Sequence, residues 1–113
     1  PVIPAKRFSM IPPPPENSST AEAIERGEQL FHQSCATCHG TLAVSAGVTS
    51  DLRFLSKSSH EFFNKIVHEG ALIESGMPAF KEHYTLEDVE AIHGYIINRA
   101  QEDYEKQQAS AAR

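Results

Sequence analysis

Cys35-Ala36-Thr37-Cys38-His39 contains both cysteines of this 113-residue chain. Two thiols three positions apart, with an imidazole directly after the second, form the C-x-x-C-H pattern of covalent c-type haem attachment. The spacing has a physical reason. Two thiols must reach two vinyl groups on one edge of a porphyrin while the next residue turns its imidazole under the iron. Cys35 and Cys38 then become thioethers. His39 is the expected proximal ligand, bound through a neutral ring nitrogen, and its other N–H needs an acceptor that fixes the ring plane. Two other readings use the same residues. A structural zinc site needs a second ligand pair, and His32, His60, His68, His83 and His93 show none of the familiar short spacings. A thioredoxin-like redox pair belongs at the start of a helix in a β-α-β setting, which the rest of the chain does not offer.

A haem iron held by His39 alone leaves a sixth position, for which Met10, Met77 and the five other histidines are candidates. Met77 lies in Gly76-Met77-Pro78, where Gly permits unusual φ and Pro stiffens the chain after the ligand. Such a loop can hold a weakly binding thioether on iron, and in a loop Met77 has little helical or strand packing to serve. A second histidine ligand would lower the reduction potential relative to Met ligation. The expected metal ligands are therefore His39 and Met77.

On the N-terminal side of the motif, Ser19 and Glu22 have capping-box spacing, and Ile24, Gly27, Leu30 and Phe31 recur at helical intervals, predicting a helix over about 20–34. On its C-terminal side, Ser58 and Glu61 followed by Phe62, Phe63, Ile66 and Val67 predict a second helix over about 59–69, stopped by Gly70. Thr85 caps a third helix, predicted over about 86–105. Glu87 and Asp88 lie at its positive end, and Leu86, Val89, Ile92, Ile96 and Ala100 follow at intervals of three or four. Nothing alternates with period two for long enough to make a strand, so the class is all-α. The stretches 40–57 and 70–84 are long for helix connections and need something to wrap. Gly27 lies beside Ile24 and Phe31, where Gly costs about 1 kcal/mol relative to Ala, which points to close crossing of another helix.

The length allows one domain. Six of the seven prolines fall in the first fifteen positions, and Pro12 to Pro15 remove four successive amide donors. This stretch is expected as extended polyproline. Residues 1–18 therefore read as a linker, with a tail docked through Phe8, Met10 and Ile11 as the alternative. Residues 19–108 form the haem domain, and 109–113 read as a disordered tail. Ten Lys and Arg against fifteen Asp and Glu leave a net charge of -5, which excludes the long cationic surface that nucleic acid or an anionic membrane requires. No apolar run is long enough for a membrane span, and the first residues lack signal-peptide features, so the chain is expected to be a processed or excised product.

Over about residues 20–105 the chain resembles class I cytochromes c. The resemblance rests on a first helix with Gly27 and Phe31, the C-x-x-C-H motif, a Met loop and a terminal helix bearing Tyr95. It implies three main helices and long loops around one covalent haem c. A narrower resemblance is to the C-terminal haem domain of quinohaemoprotein alcohol dehydrogenases, whose catalytic part carries pyrroloquinoline quinone (PQQ). Cys35 to Gly40, Ser45 to Val48, Asp51-Leu52-Arg53, Gly70-Ala71-Leu72, Gly76 to Phe80 and Asp88 to Ile92 carry it. Related sequences usually have Pro directly before Asp-Leu-Arg, where this chain has Ser50. The resemblance implies that the carbonyl at that position accepts the His39 N–H, a bond that Ser50 can still make. Arg53 is a candidate partner for a haem propionate, because guanidinium matches carboxylate geometry; a solvated loop Arg is the competing reading.

The expected function is electron transfer, with no substrate chemistry in the chain itself. The resemblance implies that electrons come from reduced PQQ in an attached or partner quinoprotein dehydrogenase and leave to an external acceptor such as a cupredoxin, a cytochrome or a quinone. The alternative is a free-standing diffusible cytochrome serving a terminal oxidase or reductase. Covalent haem attachment implies a periplasmic location. Weakly polar segments that include Val44, Leu72 and Ile73 are the expected docking surface.

Overall fold

Among the described residues, every hydroxyl that starts a helix does so by accepting an amide three residues on. In the computed structural model, which describes residues 10–44 and 51–111, Thr20 Oγ1 accepts the Ala23 N–H at 3.1 Å and opens α1, Ala21–Ser34. Ser19, the expected cap, is displaced from that role because it packs over Gly94 of the last helix, where a methyl group would overlap its Oγ. Thr85 opens α5, Leu86–Ala111, as expected. Its Oγ1 accepts from the Asp88 amide at 3.1 Å while Asp88 Oδ2 accepts from the Thr85 amide at 3.2 Å, a reciprocal capping box.

Between these two helices lie the one-turn α2, Ala36–His39, and two short helices, α3, Lys57–Glu61, and α4, Phe63–Val67. The single helix expected over 59–69 is thus corrected in two ways. Ser56 rather than Ser58 is the cap, accepting the Ser59 amide at 3.2 Å, and the helix breaks at Phe62. The break has a tertiary reason. It sets His60 of α3 and Phe63 of α4 against one side chain of α5: His93 Nε2 lies 2.8 Å from His60 Nδ1, and its ring stacks on Phe63 at 4.1 Å. Phe62 is left 53% exposed while Phe63 is buried. Among the described residues there is no strand, and no helix is long and apolar enough to cross a membrane.

The architecture is the crossing of α1 over α5. At Gly27 an added Cβ would run into the Ala91 carbonyl, so the two backbones touch as the glycine on the apolar face led us to expect. Around that point Leu30 and Phe31 pack with Val89, Ile92, Tyr95 and Ile96, and Phe63 and Val67 close the far side. Full burial of a side chain such as Phe31 or Ile92 contributes about 1.5–3 kcal/mol each. The Phe31 and Tyr95 rings meet at 5.4 Å.

Two terminal expectations change. α5 runs to Ala111, past the expected end at 105 and into the stretch expected to be a disordered tail. Its last turns hold no Gly or Pro, and Gln107 anchors them by accepting the Ile11 amide (2.8 Å) and donating to the Ile11 carbonyl (3.1 Å). The described part of the Pro-rich segment is correspondingly docked on α5: Ile11 is buried, Gln101 donates to the Pro15 carbonyl at 3.0 Å and Asn17 to the Gly94 carbonyl at 2.9 Å. Of the docked-tail residues, Met10 is 51% exposed and Phe8 lies outside the described residues.

The crossing makes Gly27→Ala destabilising despite its better helix propensity, by at least about 1 kcal/mol net in urea unfolding; a stabilised variant would show that the helices are not in contact there. The His60–His93 pair gives an acid dependence. Burial first, and the neighbouring His60 second, push His93 from its ordinary 6.5 down to about 4. The unfolded chain therefore takes up this proton more readily, so the stability contributed by neutral His93 is full above pH 6.5 and is lost as pH falls toward 4. Urea titrations should show a loss of about 2–3 kcal/mol across that window, and His93→Phe should flatten it.

Candidate functional site

α1 ends where the motif begins. The Cys35 amide donates to the Phe31 carbonyl at 2.7 Å as the last bond of α1, and the next turn starts from the same residue: the amides of Cys38 and His39 both donate to the Cys35 carbonyl, at 3.2 and 2.9 Å. Gly40, at φ 87°, turns the chain away. The five motif residues thus form one helical turn, with the two sulfurs at i and i+3 on one face. Cys35 is buried, Cys38 exposed and His39 half-buried.

Burial, followed by the proximity of Cys38, pushes the Cys35 thiol up to about 11. A redox or nucleophilic cysteine needs the opposite shift, because the thiolate is the reactive species. A thioether carries no ionisable proton, so attachment to a porphyrin suits a buried sulfur where a thiolate does not. The donor set of two sulfurs, one imidazole and one thioether fits a covalent haem.

Met77 reaches this region from a separate loop. The turn Ile73–Ser75 ends at Gly76 with φ 100°, and the Met77 amide donates back to the Leu72 carbonyl at 3.2 Å. Phe80 and Lys81 donate to the carbonyls of Val67 and His68 at 2.9 and 3.0 Å, which pins the loop to the end of α4. Met77 is half-buried against the apolar cluster that contains Cys35. A contact that the sequence did not announce joins the two segments: Tyr84 Oη and Ser34 Oγ are 2.6 Å apart, linking the far end of the Met loop to the residue before Cys35. Serine and tyrosine fifty positions apart carry no local signal of such pairing.

Arg53 is neither solvated nor unengaged. Its side chain is 18% exposed, forks onto Asp51 (Nε to Oδ1 at 3.0 Å, Nη2 to Oδ2 at 2.7 Å) and donates from Nη1 to Asp103 Oδ2 at 2.9 Å. Ser50 lies outside the described residues, as do Ala46 to Val48. Leu42, Val44, Leu72 and Ile73 are exposed by 41–59%. An open groove of about 860 Å³ lies between the Pro-rich strap, α3 and α5, lined by Pro13, Asn17, His60 and His93 among others; none of Cys35, Cys38, His39 or Met77 borders it, so size does not mark the site here.

Residues 22–96 match the family model described as cytochrome c oxidase, cbb3-type, subunit III. Quinohemoprotein alcohol dehydrogenase ADH-IIG of Pseudomonas putida is 43% identical over 89 residues, which make up 79% of this chain and 12% of that protein. Cytochrome c550 of Pseudomonas aeruginosa is 35% identical over 78 residues, 66% of this chain and 54% of its own length. A solved structure of quinohemoprotein alcohol dehydrogenase ADHIIG from Pseudomonas putida HK5 superposes with a TM-score of 0.77 at 42% identity, covering 80% of this chain and 13% of that one. The chain therefore spans about an eighth of the length of the dehydrogenases it matches.

The seat of the Met loop gives a stability prediction. Gly70 has φ 81°, and a Cβ there would lie 2.7 Å from the Ala79 Cβ. Gly70→Ala should cost about 1–3 kcal/mol in urea unfolding, from left-handed strain and overlap together; a neutral variant would show that Ala79 does not seat against the end of α4.

Proposed function

The chain belongs to the family of cytochrome c domains described as cytochrome c oxidase, cbb3-type, subunit III, whose function is electron transfer, and we propose that it relays single electrons through one covalent haem c ligated by His39 and Met77. The observation that carries this reading is the single helical turn of Cys35, Cys38 and His39 with Met77 packed on the cluster that holds Cys35.

When bound, the haem supplies one-electron exchange at its iron. Cys35 and Cys38 hold it covalently. His39 would offer a neutral ring nitrogen, and its other N–H needs a carbonyl acceptor that sets the ring plane. Met77 would be the second protein ligand and, as a thioether, would favour the ferrous state. With His39 and Met77 both bound, the haem would supply electron exchange rather than oxygen or peroxide chemistry. The work of the chain is then to hold the two ligands still in both oxidation states. The amide bonds of Phe80 and Lys81 to α4 support this for Met77. Arg53 keeps one further N–H on each of Nη1 and Nη2 after binding its two aspartates, which it can offer to a propionate.

The proposed donor is a quinoprotein dehydrogenase carrying PQQ, attached or separate, with residues 1–18 as linker in the attached case. Similarity to two quinohemoprotein alcohol dehydrogenases of Pseudomonas putida supports this. A cupredoxin, cytochrome or quinone takes the electron, docking on the apolar surface that includes Val44, Leu72 and Ile73. The chain acts outside the cytoplasm, in the periplasm, and performs no substrate chemistry itself. A second reading, a free-standing carrier, draws on the similarity to cytochrome c550. A propeller encoded directly upstream of Pro1 favours the first, and a signal peptide there the second.

Optical spectra of the oxidised and reduced protein test the ligation. Wild type should show a c-type spectrum and the weak near-infrared band of sulfur on ferric haem, and Met77→Ala should lose that band and bind carbon monoxide when reduced. A band that survives in Met77→Ala would remove Met77 from the iron.

A further inference from the structure

Among the described residues, Leu42 and Ala43 are the non-glycine residues with left-handed backbone, at φ 58° and 62°. This conformation costs an L residue about 1–2 kcal/mol and persists only where the surroundings impose it. The Leu42 side chain is 46% exposed, so its packing is not what imposes it. Both backbone polar groups of Leu42 are instead held by side chains. Its N–H donates to His32 Nε2 on α1 at 3.2 Å, and its carbonyl accepts from Arg99 Nε on α5 at 2.9 Å. His32 Nδ1–H donates in turn to the Glu28 carbonyl at 2.8 Å, which leaves Nε2 as the acceptor that Leu42 needs.

The Arg99 guanidinium meets two carboxylates: its Nη1 donates to Glu102 Oε1 at 2.8 Å. Its Nη2 donates to Asp103 Oδ2 at 2.8 Å, and Arg53 Nη1 donates to the same oxygen at 2.9 Å. Arg53 grips Asp51 at its other edge. Asp103 therefore ties down Leu42 before residues 45–50 and Asp51 to Arg53 after them. The side chains of Arg53, Arg99 and Asp103 are only 13–18% exposed, a setting in which charge-assisted bonds are strong. Burial disfavours the Asp103 charge, but the Arg53 hydrogen bond and the Arg99 and Arg53 charges outweigh it and hold the carboxyl below its ordinary value.

We infer that Asp103 is a positioning residue for the chain that leaves His39: through Arg99 it holds the Leu42 backbone, three residues after His39, and through Arg53 it holds the Asp51–Arg53 turn. The inference deepens the haem reading and rests on it. Removing the carboxylate takes away a negative charge, which favours the ferrous state.

The test compares Asp103→Asn, Asp103→Glu and Asp88→Asn in the haem-loaded protein, the last breaking the surface pair with Arg26 at the other end of α5. Asp103→Asn should speed amide hydrogen exchange at Leu42 and Arg53 by about tenfold or more and raise the reduction potential. Asp103→Glu should restore both, and Asp88→Asn should move neither. If Asp103→Asn does not fold, Arg99→Lys, which keeps the charge and loses the fork, should show the same faster exchange at Leu42. Unchanged exchange and potential in haem-loaded Asp103→Asn would overturn the clamp. A wild-type protein that attaches no haem would overturn the reading beneath it, with the exchange comparison still deciding the clamp.

Discussion

The missing side chain of Gly27 lets α1 lie directly on the backbone of α5 at Ala91. That contact sets the distance and angle of the two long helices, and the apolar residues on either side of it follow: Phe31 meets Tyr95, and Val89, Ile92 and Ile96 fill the seam. It also places the Cys35–His39 turn. α1 ends at Ser34 and the next turn grows from the Cys35 carbonyl, so the orientation of α1 on α5 is inherited by both sulfurs and by His39. A second close approach, Ser19 over Gly94, repeats the device at the entrance to α1. Both glycines weaken their helices by about 1 kcal/mol in isolation, a cost that close packing offsets.

What hangs from this pair is loop, and each loop is fastened by a different kind of bond. The Met loop is held by backbone amides to the end of α4 and by the Tyr84–Ser34 contact to the end of α1. Leu42 and Arg53, on either side of residues 45–50, are held by ionic hydrogen bonds that converge on Asp103. The Pro-rich strap, whose prolines cannot donate, is held by Gln101 and Gln107 through the Pro15 and Ile11 carbonyls and the Ile11 amide, and its own Asn17 side chain donates to the Gly94 carbonyl. A redox protein gains from this arrangement. Ligands that stay in place when the iron changes charge need little reorganisation, and fastened loops supply that without a large core.

Much of this could be read from residue order. The C-x-x-C-H spacing is a local pattern whose chemistry does not depend on the fold, and Thr85 caps α5 as expected, with Asp88, read only as an acid at the positive helix end, completing the box. Gly27 on an apolar helix face pointed to the crossing. Other elements were decided by partners far along the chain. Ser19 lost its capping role to Thr20 because Gly94 needed a small group above it. The helix over 59–69 broke at Phe62 because His93 engages both halves, and α5 outran its expected end because Gln107 is tied to Ile11. Arg53 reads equally well as a solvated or a propionate-binding residue until Asp103, fifty positions away, stands beside it.

Residue order alone thus determined the cytochrome c family, the helical class and the helix that leads into the Cys35–His39 motif, since each rests on spacings within one or two turns. Folding in three dimensions decided how the loops are held, which side chains are buried and which carboxylate the two arginines share. Those outcomes depend on which distant groups meet once α1 has crossed α5, and spacing along the chain holds no record of that meeting.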